Sequence, residues 1–205
     1  IVNVDANVKV ADFTSKHLGV GMLTWEHVGN GNYPDQIPGL SDAFKAAGVG
    51  LIRYAGGNYV HTSFFDRTIL DYNYSTTIPT KYQGKYTRPY AVNELASLDR
   101  LAKSVGAEVM IQVNLKHSEP TMWADLVRIA RERSWTTFKY YELSNENDCC
   151  EKSVTSTMFW QRARDYSRAM KAVDPNIKVI GPAPAVPSEN WNGDTGLVPK
   201  RSQII

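Results

Sequence analysis

Phe138-Lys139-Tyr140-Tyr141-Glu142-Leu143-Ser144-Asn145-Glu146-Asn147-Asp148 is the stretch whose reading decides how the chain folds. Aromatic and branched residues favour extended structure as far as Leu143, and the Asn-rich run behind them is turn chemistry. The stretch therefore reads as a strand that delivers an Asn-Glu pair to its C-terminal end. A carboxylate at a strand end, followed by a loop, is where parallel α/β enzymes keep their chemistry. Glu146 is on that ground the first catalytic candidate.

Upstream and downstream, strand and helix patterns alternate. Residues 18–23 form a short apolar strand, followed by a Gly/Asn/Pro-rich loop over 29–39 and a short helix from Ser41, a candidate N-cap, to Gly48, a candidate C′ glycine. Residues 49–54 are the second strand. A long insertion then runs from Ala55-Gly56-Gly57-Asn58 to about Pro89 and carries Tyr59, His61, Phe64, Phe65, Tyr72, Tyr74, Tyr82, Tyr86 and, at its end, Tyr90. Long loops in compact domains are usually functional, and these aromatics suit either the apolar faces of sugar rings or a local mini-core.

Val92, Leu95, Leu98, Leu101, Ala102 and Val105 recur at helical spacing and stop at Gly106. That helix leads to a third strand over 107–114. A helix over 121–133, the opening stretch as fourth strand, a helix over 155–173 and a fifth strand over 178–181 follow. Trp123 and Trp160 fall on helical stripes and are assigned to the core.

Strands separated by helices imply right-handed crossovers and a parallel sheet, which fits a doubly wound sheet or the front of a (β/α)8 barrel. Gly19, Gly21 and Gly56-Gly57 do not make the phosphate-binding G-x-G-x-x-G pattern, so the barrel is favoured. Such barrels run to about 250 residues, and this chain is expected to hold the first five βα units over 13–205. Residues 1–12 stand apart. Val2, Val4, Ala6, Val8 and Val10 alternate with polar residues as in a half-buried strand, one expected to join an accessory β-sandwich.

Composition narrows the partners. The 23 basic and 21 acidic side chains leave +2, spread without blocks, so neither nucleic acid nor a membrane surface is expected as a partner. No apolar run approaches the roughly 20 residues that span a bilayer. Neither a metal nor another cofactor is expected, since the sequence offers no Cys-x-x-Cys or Cys/His set. Cys149 and Cys150 are adjacent and read as two thiols or a vicinal disulfide. With the sequon Asn73-Tyr74-Ser75 they lean towards a secreted protein whose leader has been removed.

In a parallel barrel the strand ends converge on one rim. That rim would gather Trp25, Glu26 and His27, Arg53 with Gly57-Asn58, Asn114, Asn145 with Glu146, and the turn at Pro182 to Pro184. Carboxylates, amides and a guanidinium, without a nucleophile elbow or a cysteine with a base, suit carboxylate chemistry on a neutral, hydroxyl-rich substrate. Glycosidic cleavage needs two carboxyl groups, in retaining enzymes about 5 Å apart. Glu142 shares a face with Glu146 but lies roughly 13 Å earlier along the strand. It is expected to be a buried carboxylate satisfied by an Arg or an amide. His61 and His117 are left without a role.

At this point a resemblance emerges. Tyr141-Glu142-Leu143-Ser144-Asn145-Glu146-Asn147 resembles the Trp-Glu-(Leu/Ile)-Gly-Asn-Glu-Asn segment of clan A retaining glycoside hydrolases. Ile52-Arg53-Tyr54-Ala55-Gly56-Gly57-Asn58-Tyr59 resembles the Arg-Tyr-Pro-Gly-Gly-Asn-Phe segment of their α-L-arabinofuranosidase family. Residues 21–27 resemble that family's first strand with its Glu-His end, and Val113-Asn114-Leu115 its third-strand Val-Asn-Leu. The resemblance implies that Glu146 is the general acid/base, that Asn145 holds the hydroxyl next to the anomeric carbon, and that Arg53 braces the nucleophile. It implies that Glu26, Asn58 and Asn114 bind sugar hydroxyls, although Glu26 and Arg53 also fit an ordinary buried ion pair. Ser144 stands where the family has Gly, and Ala55 where it has Pro.

The family carries its nucleophile as a Glu at the end of strand seven. Glu189 is the one carboxylate near the fifth strand that offers a substitute. The expectation is instead that the remaining half of the same protein supplies the nucleophile, strands six to eight and the sandwich. The resulting expectation is a retaining glycosidase acting on plant cell-wall-type polysaccharide or oligosaccharide, arabinofuranosidase-like. An endo-β-glycanase of the same clan and a non-catalytic carbohydrate-binding half-barrel are the alternatives.

Overall fold

The computed structural model describes residues 13–23, 32–72, 77–146 and 154–181. The N-terminal alternating stretch, Glu26, the sequon, Cys149, Cys150 and Glu189 lie outside the described residues. Within the described residues the strands are β1 (Gly19–Leu23), β2 (Leu51–Ala55), β3 (Ser63–Phe65), β4 (Arg88–Tyr90), β5 (Glu108–Val113), β6 (Phe138–Leu143) and β7 (Lys178–Ile180). The helices are α1 (Leu40–Ala46), α2 (Val92–Val105), α3 (Pro120–Glu132) and α4 (Ser156–Val173).

The main sheet runs β1-β2-β5-β6-β7, and each neighbouring pair is parallel. Its strands follow one another in chain order with no reversal. A doubly wound sheet reverses at its switch point, whereas a barrel adds strands in one direction, so the fold is the partial (β/α)8 barrel expected from the sequence.

Strand parity explains how the layers form. Ile52 and Tyr54 on β2, and Val109, Ile111 and Val113 on β5, are buried in the core shared with the helices. Arg53 and Gln112 take the opposite parity, which faces the barrel interior. Leu95, Leu98, Leu101 and Ala102 on α2 and Trp123, Leu126, Val127 and Ala130 on α3 supply the helical side of that core. Trp123 meets expectation. Trp160 is partly buried and packs against the core cluster.

The helix ends follow local chemistry. Gly106, at φ +74, closes α2 in the left-handed conformation that glycine adopts without steric cost. Thr155 caps α4 by accepting a hydrogen bond from the Met158 N–H at 3.2 Å. The cap expected at Ser41 is corrected. Helix α1 starts at Leu40, and the carbonyl of Gly39, itself at φ +75, accepts from Ala43 N at 3.0 Å. The Pro38-Gly39 turn begins the hydrogen-bond ladder before Ser41, whose hydroxyl instead lies 3.0 Å from that of Ser104.

The insertion is not one long loop. It contains a 3-10 turn over Gly57–Thr62, a second over Thr80–Tyr82, and the parallel pair β3/β4. Phe64, Tyr82 and Tyr86 pack in tilted and edge-on pairs with ring centroids 4.2 to 5.7 Å apart, so this aromatic group is a mini-core. Tyr59 stays 51% exposed.

Candidate functional site at the C-terminal rim of the sheet

The second strand and the fourth strand of the main sheet bring an arginine to a glutamate. Arg53 Nε donates to Glu142 Oε2 at 2.6 Å and Arg53 Nη2 donates to Glu142 Oε1 at 2.9 Å, a fork-to-fork ion pair. The Glu142 side chain is 8% exposed and both its oxygens are engaged. The expectation of a buried structural carboxylate held by an Arg is met. A carboxylate engaged in this way is also unsuited to attack an anomeric carbon.

The same guanidinium reaches one layer higher. Arg53 Nη2 donates to Asn145 Oδ1 at 2.8 Å, and Asn145 Nδ2 donates to Asn58 Oδ1 at 2.9 Å. Arg53, Asn58 and Asn145, chosen from sequence as site residues, thus lie in one hydrogen-bonded chain. That chain crosses from the end of β2 to the end of β6. Asn145 is buried and Glu146, the next residue, is half-buried at the same rim.

The backbone around Asn145 is unusual. Ser144 has φ +71 and Glu146 has φ +40, both positive for residues that carry a Cβ. Such conformations cost on the order of 1–3 kcal/mol each and persist where surrounding structure enforces them, typically at functional sites. Ser144 is held by its N–H, which donates to the Val113 carbonyl at 2.8 Å, and by a 3.3 Å contact between its hydroxyl and His61 Nδ1.

Asn114 is placed differently from expectation. It is fully buried, and its Nδ2 donates to the carbonyls of His61 and Ser63 at 3.0 and 2.8 Å. Its Oδ1 accepts from the N–H groups of Lys116 and His117 at 2.9 and 3.2 Å. Both amide hydrogens are committed to backbone, so Asn114 fastens the insertion to the end of β5 and offers nothing to a sugar hydroxyl.

Support comes from below. Tyr54 donates to Glu94, which also receives Arg88 Nη2 at 2.7 Å, and this buried set ties β2 and β4 to α2. Burial, and next the Glu94 charge, push the Tyr54 phenol well above its ordinary value, so it stays a donor. Gln112 was not singled out from sequence. Its one signal is a primary amide inside the apolar run Val109 to Val113, and it bonds both Gly56 N–H (2.8 Å) and Asn145 Oδ1 (3.4 Å). A separate groove lined by Trp135, Phe138, Lys139, Asp174 and Ile177 opens at the N-terminal end of β6, the end of the barrel away from this rim.

The fold and this rim define a class, the partial (β/α)8 barrel with an Asn-Glu pair closing its fourth strand. No family model matches the chain. In sequence it is 24% identical, over 218 aligned positions, to an intracellular exo-α-(1→5)-L-arabinofuranosidase of Acetivibrio thermocellus, covering 87% of this chain and 41% of that one. In structure it is similar to AbfB, a family 51 α-L-arabinofuranosidase of Bifidobacterium longum, with TM-score 0.60 and 16% identity over 92% of this chain and 44% of that chain. The family 51 arabinofuranosidase of Xanthomonas axonopodis pv. citri gives TM-score 0.53 and 16% identity, with 82% and 39% covered. The chain is thus related to the α-L-arabinofuranosidases and shares their fold, and it spans about two fifths of their length.

Proposed function

We propose that this chain is part of a retaining glycosidase, arabinofuranosidase-like, in which Glu146 is the general acid/base. The observation that carries the reading is the chain Glu142–Arg53–Asn145–Asn58. It places a fixed amide directly before Glu146 at the C-terminal rim of a parallel barrel. Glu146 would protonate the leaving oxygen and later activate water, while Asn145 and Asn58 would bind sugar hydroxyls. Glu26, outside the described residues, would add a carboxylate to the sugar subsite.

Glu142, engaged by Arg53, is not the nucleophile, and in this reading the remaining part of the protein supplies it. The endo-β-glycanase alternative rested on a wall of aromatics lining several subsites. Among the described residues, Phe64, Tyr82 and Tyr86 pack on one another rather than forming such a wall, while Tyr59, beside Asn58, stays exposed. A secreted location belongs to the proposal, carried by the sequon at Asn73 and the Cys149-Cys150 pair. Glycan removal that shifts the mass of the native protein would support it, and an unmodified Asn73 would count against it.

The test uses the full-length protein and aryl α-L-arabinofuranosides of graded leaving-group pKa. Glu146→Ala is expected to lose about 10²–10⁴-fold in kcat/KM on poor leaving groups and far less on good ones, since only the former need the proton. Equal losses on both would sink the acid/base assignment. Wild-type protein that turns over β-glycans but no arabinofuranoside would favour the endo alternative.

A further inference from the structure

Gln112 is fully buried in the middle of β5, on the face opposite the core residues Val109, Ile111 and Val113. A primary amide in such a place costs free energy unless its donors and acceptor are satisfied. Its side chain works in two directions. Oε1 accepts from Gly56 N–H at 2.8 Å and Nε2 donates to Asn145 Oδ1 at 3.4 Å.

Both targets are constrained. Gly56 has φ +89, and a Cβ there would lie 2.0 Å from Leu23 Cδ2, so the exit of β2 is wedged against β1. Asn145 Oδ1 receives two donors, Arg53 Nη2 and Gln112 Nε2. The amide cannot turn over without setting its NH2 group against both of them. Nδ2 is thereby aimed at Asn58 Oδ1 with one N–H left for a ligand.

Resting on the glycosidase reading, we propose that Gln112 is a positioning residue: it joins the β2 exit to Asn145 and fixes the orientation in which Asn145 meets the sugar. The interaction it serves is one that strengthens in the transition state, so its loss acts on kcat more than on KM.

The experiment is a double-mutant cycle in the full-length protein. Gln112→Met, of similar length and without hydrogen bonds, is expected to lower kcat about tenfold with KM changed less than about twofold. In an Asn145→Ala background the same substitution should change kcat by less than about twofold. An equal tenfold loss in that background overturns the proposal, as does wild-type kcat in Gln112→Met. A crystal structure of Gln112→Met gives a readout independent of turnover, expected to show the Asn145 amide rotated away from Asn58 and Gly56 shifted. An unmoved Asn145 overturns the proposal. Wild-type protein inactive on every aryl glycoside would sink the glycosidase reading, and that crystal structure would still decide the positioning role. Gln112→Leu is the second variant, and failure of both to fold would assign Gln112 to stability and overturn the proposal.

Discussion

Ser144 shows what a single residue contributes to the rim. It occupies a left-handed conformation, φ +71, where the motif it resembles carries glycine. A side chain there costs about 1–2 kcal/mol of backbone strain, and the 3.3 Å contact of its hydroxyl with His61 returns about 0.5–1.5 kcal/mol. The two nearly cancel, so Ser144→Gly is expected to leave stability close to wild type. Ser144→Ala keeps the strain and loses the contact. It should be less stable than Ser144→Gly by about 1 kcal/mol in urea unfolding, and equal stability of the two would show that the strain is relieved elsewhere. Arg53 is the other residue on which the rim turns. A lysine there keeps the charge but cannot fork onto both Glu142 oxygens and still reach Asn145. Arg53→Lys should cost about 1–3 kcal/mol of stability, because it leaves acceptors of the buried Glu142 and Asn145 undersatisfied. On the proposed reaction it should lower kcat/KM by at least about tenfold, and wild-type kinetics in this variant would remove Arg53 from the site.

At the scale of elements, the insertion between β2 and α2 is held by charge as well as by rings. Burial pushes the Asp66 carboxyl up, but hydrogen bonds from Lys81, from the Thr68 hydroxyl and N–H, and from Tyr82 outweigh it and hold it well below the usual carboxylate range. A carboxyl depressed in the folded state adds stability that is present above its unfolded value near 4 and is lost as pH falls through the folded value. The difference in stability between wild type and Asp66→Asn should therefore be greatest near neutral pH and shrink towards pH 2. A difference independent of pH across denaturation curves would contradict that origin. This element was also the least legible in the sequence. β3 and β4 are three residues each, too short to show a period of two, and their pairing spans a separation that no local pattern reports. The helices α2, α3 and α4 and the strands β1, β2, β5, β6 and β7 were legible because long apolar stripes and short branched runs repeat one alternation. Glu142 was placed by simple arithmetic along its strand. Asn114 and Gln112 were not, because an amide that binds sugar and one that binds backbone look alike until the loop above them is seen.

On the scale of the molecule, the five parallel strands are an arc of a barrel. Among the described residues β1 has β2 as its one sheet neighbour and β7 has β6, so two edges that a closed barrel would pair are left. The groove beside the β7 edge is lined by Leu143, Phe159, Trp160 and Val179, with Arg164, Arg168, Lys171 and Lys178 around it. In a complete barrel the following helix and strand cover such a face. Because the chain spans about two fifths of its relatives' length, we expect the remaining part of the protein to supply that cover together with the nucleophile. Expressed alone, the 205 residues should bind a hydrophobic dye and elute from size exclusion as associated species. They should also show no turnover of aryl arabinofuranosides. The full-length protein should lose dye binding, run as a defined species and gain activity. A monomeric, cooperatively melting 205-residue chain with glycosidase activity would mean that both carboxylates are already within it, and the search for the nucleophile would return to Glu189.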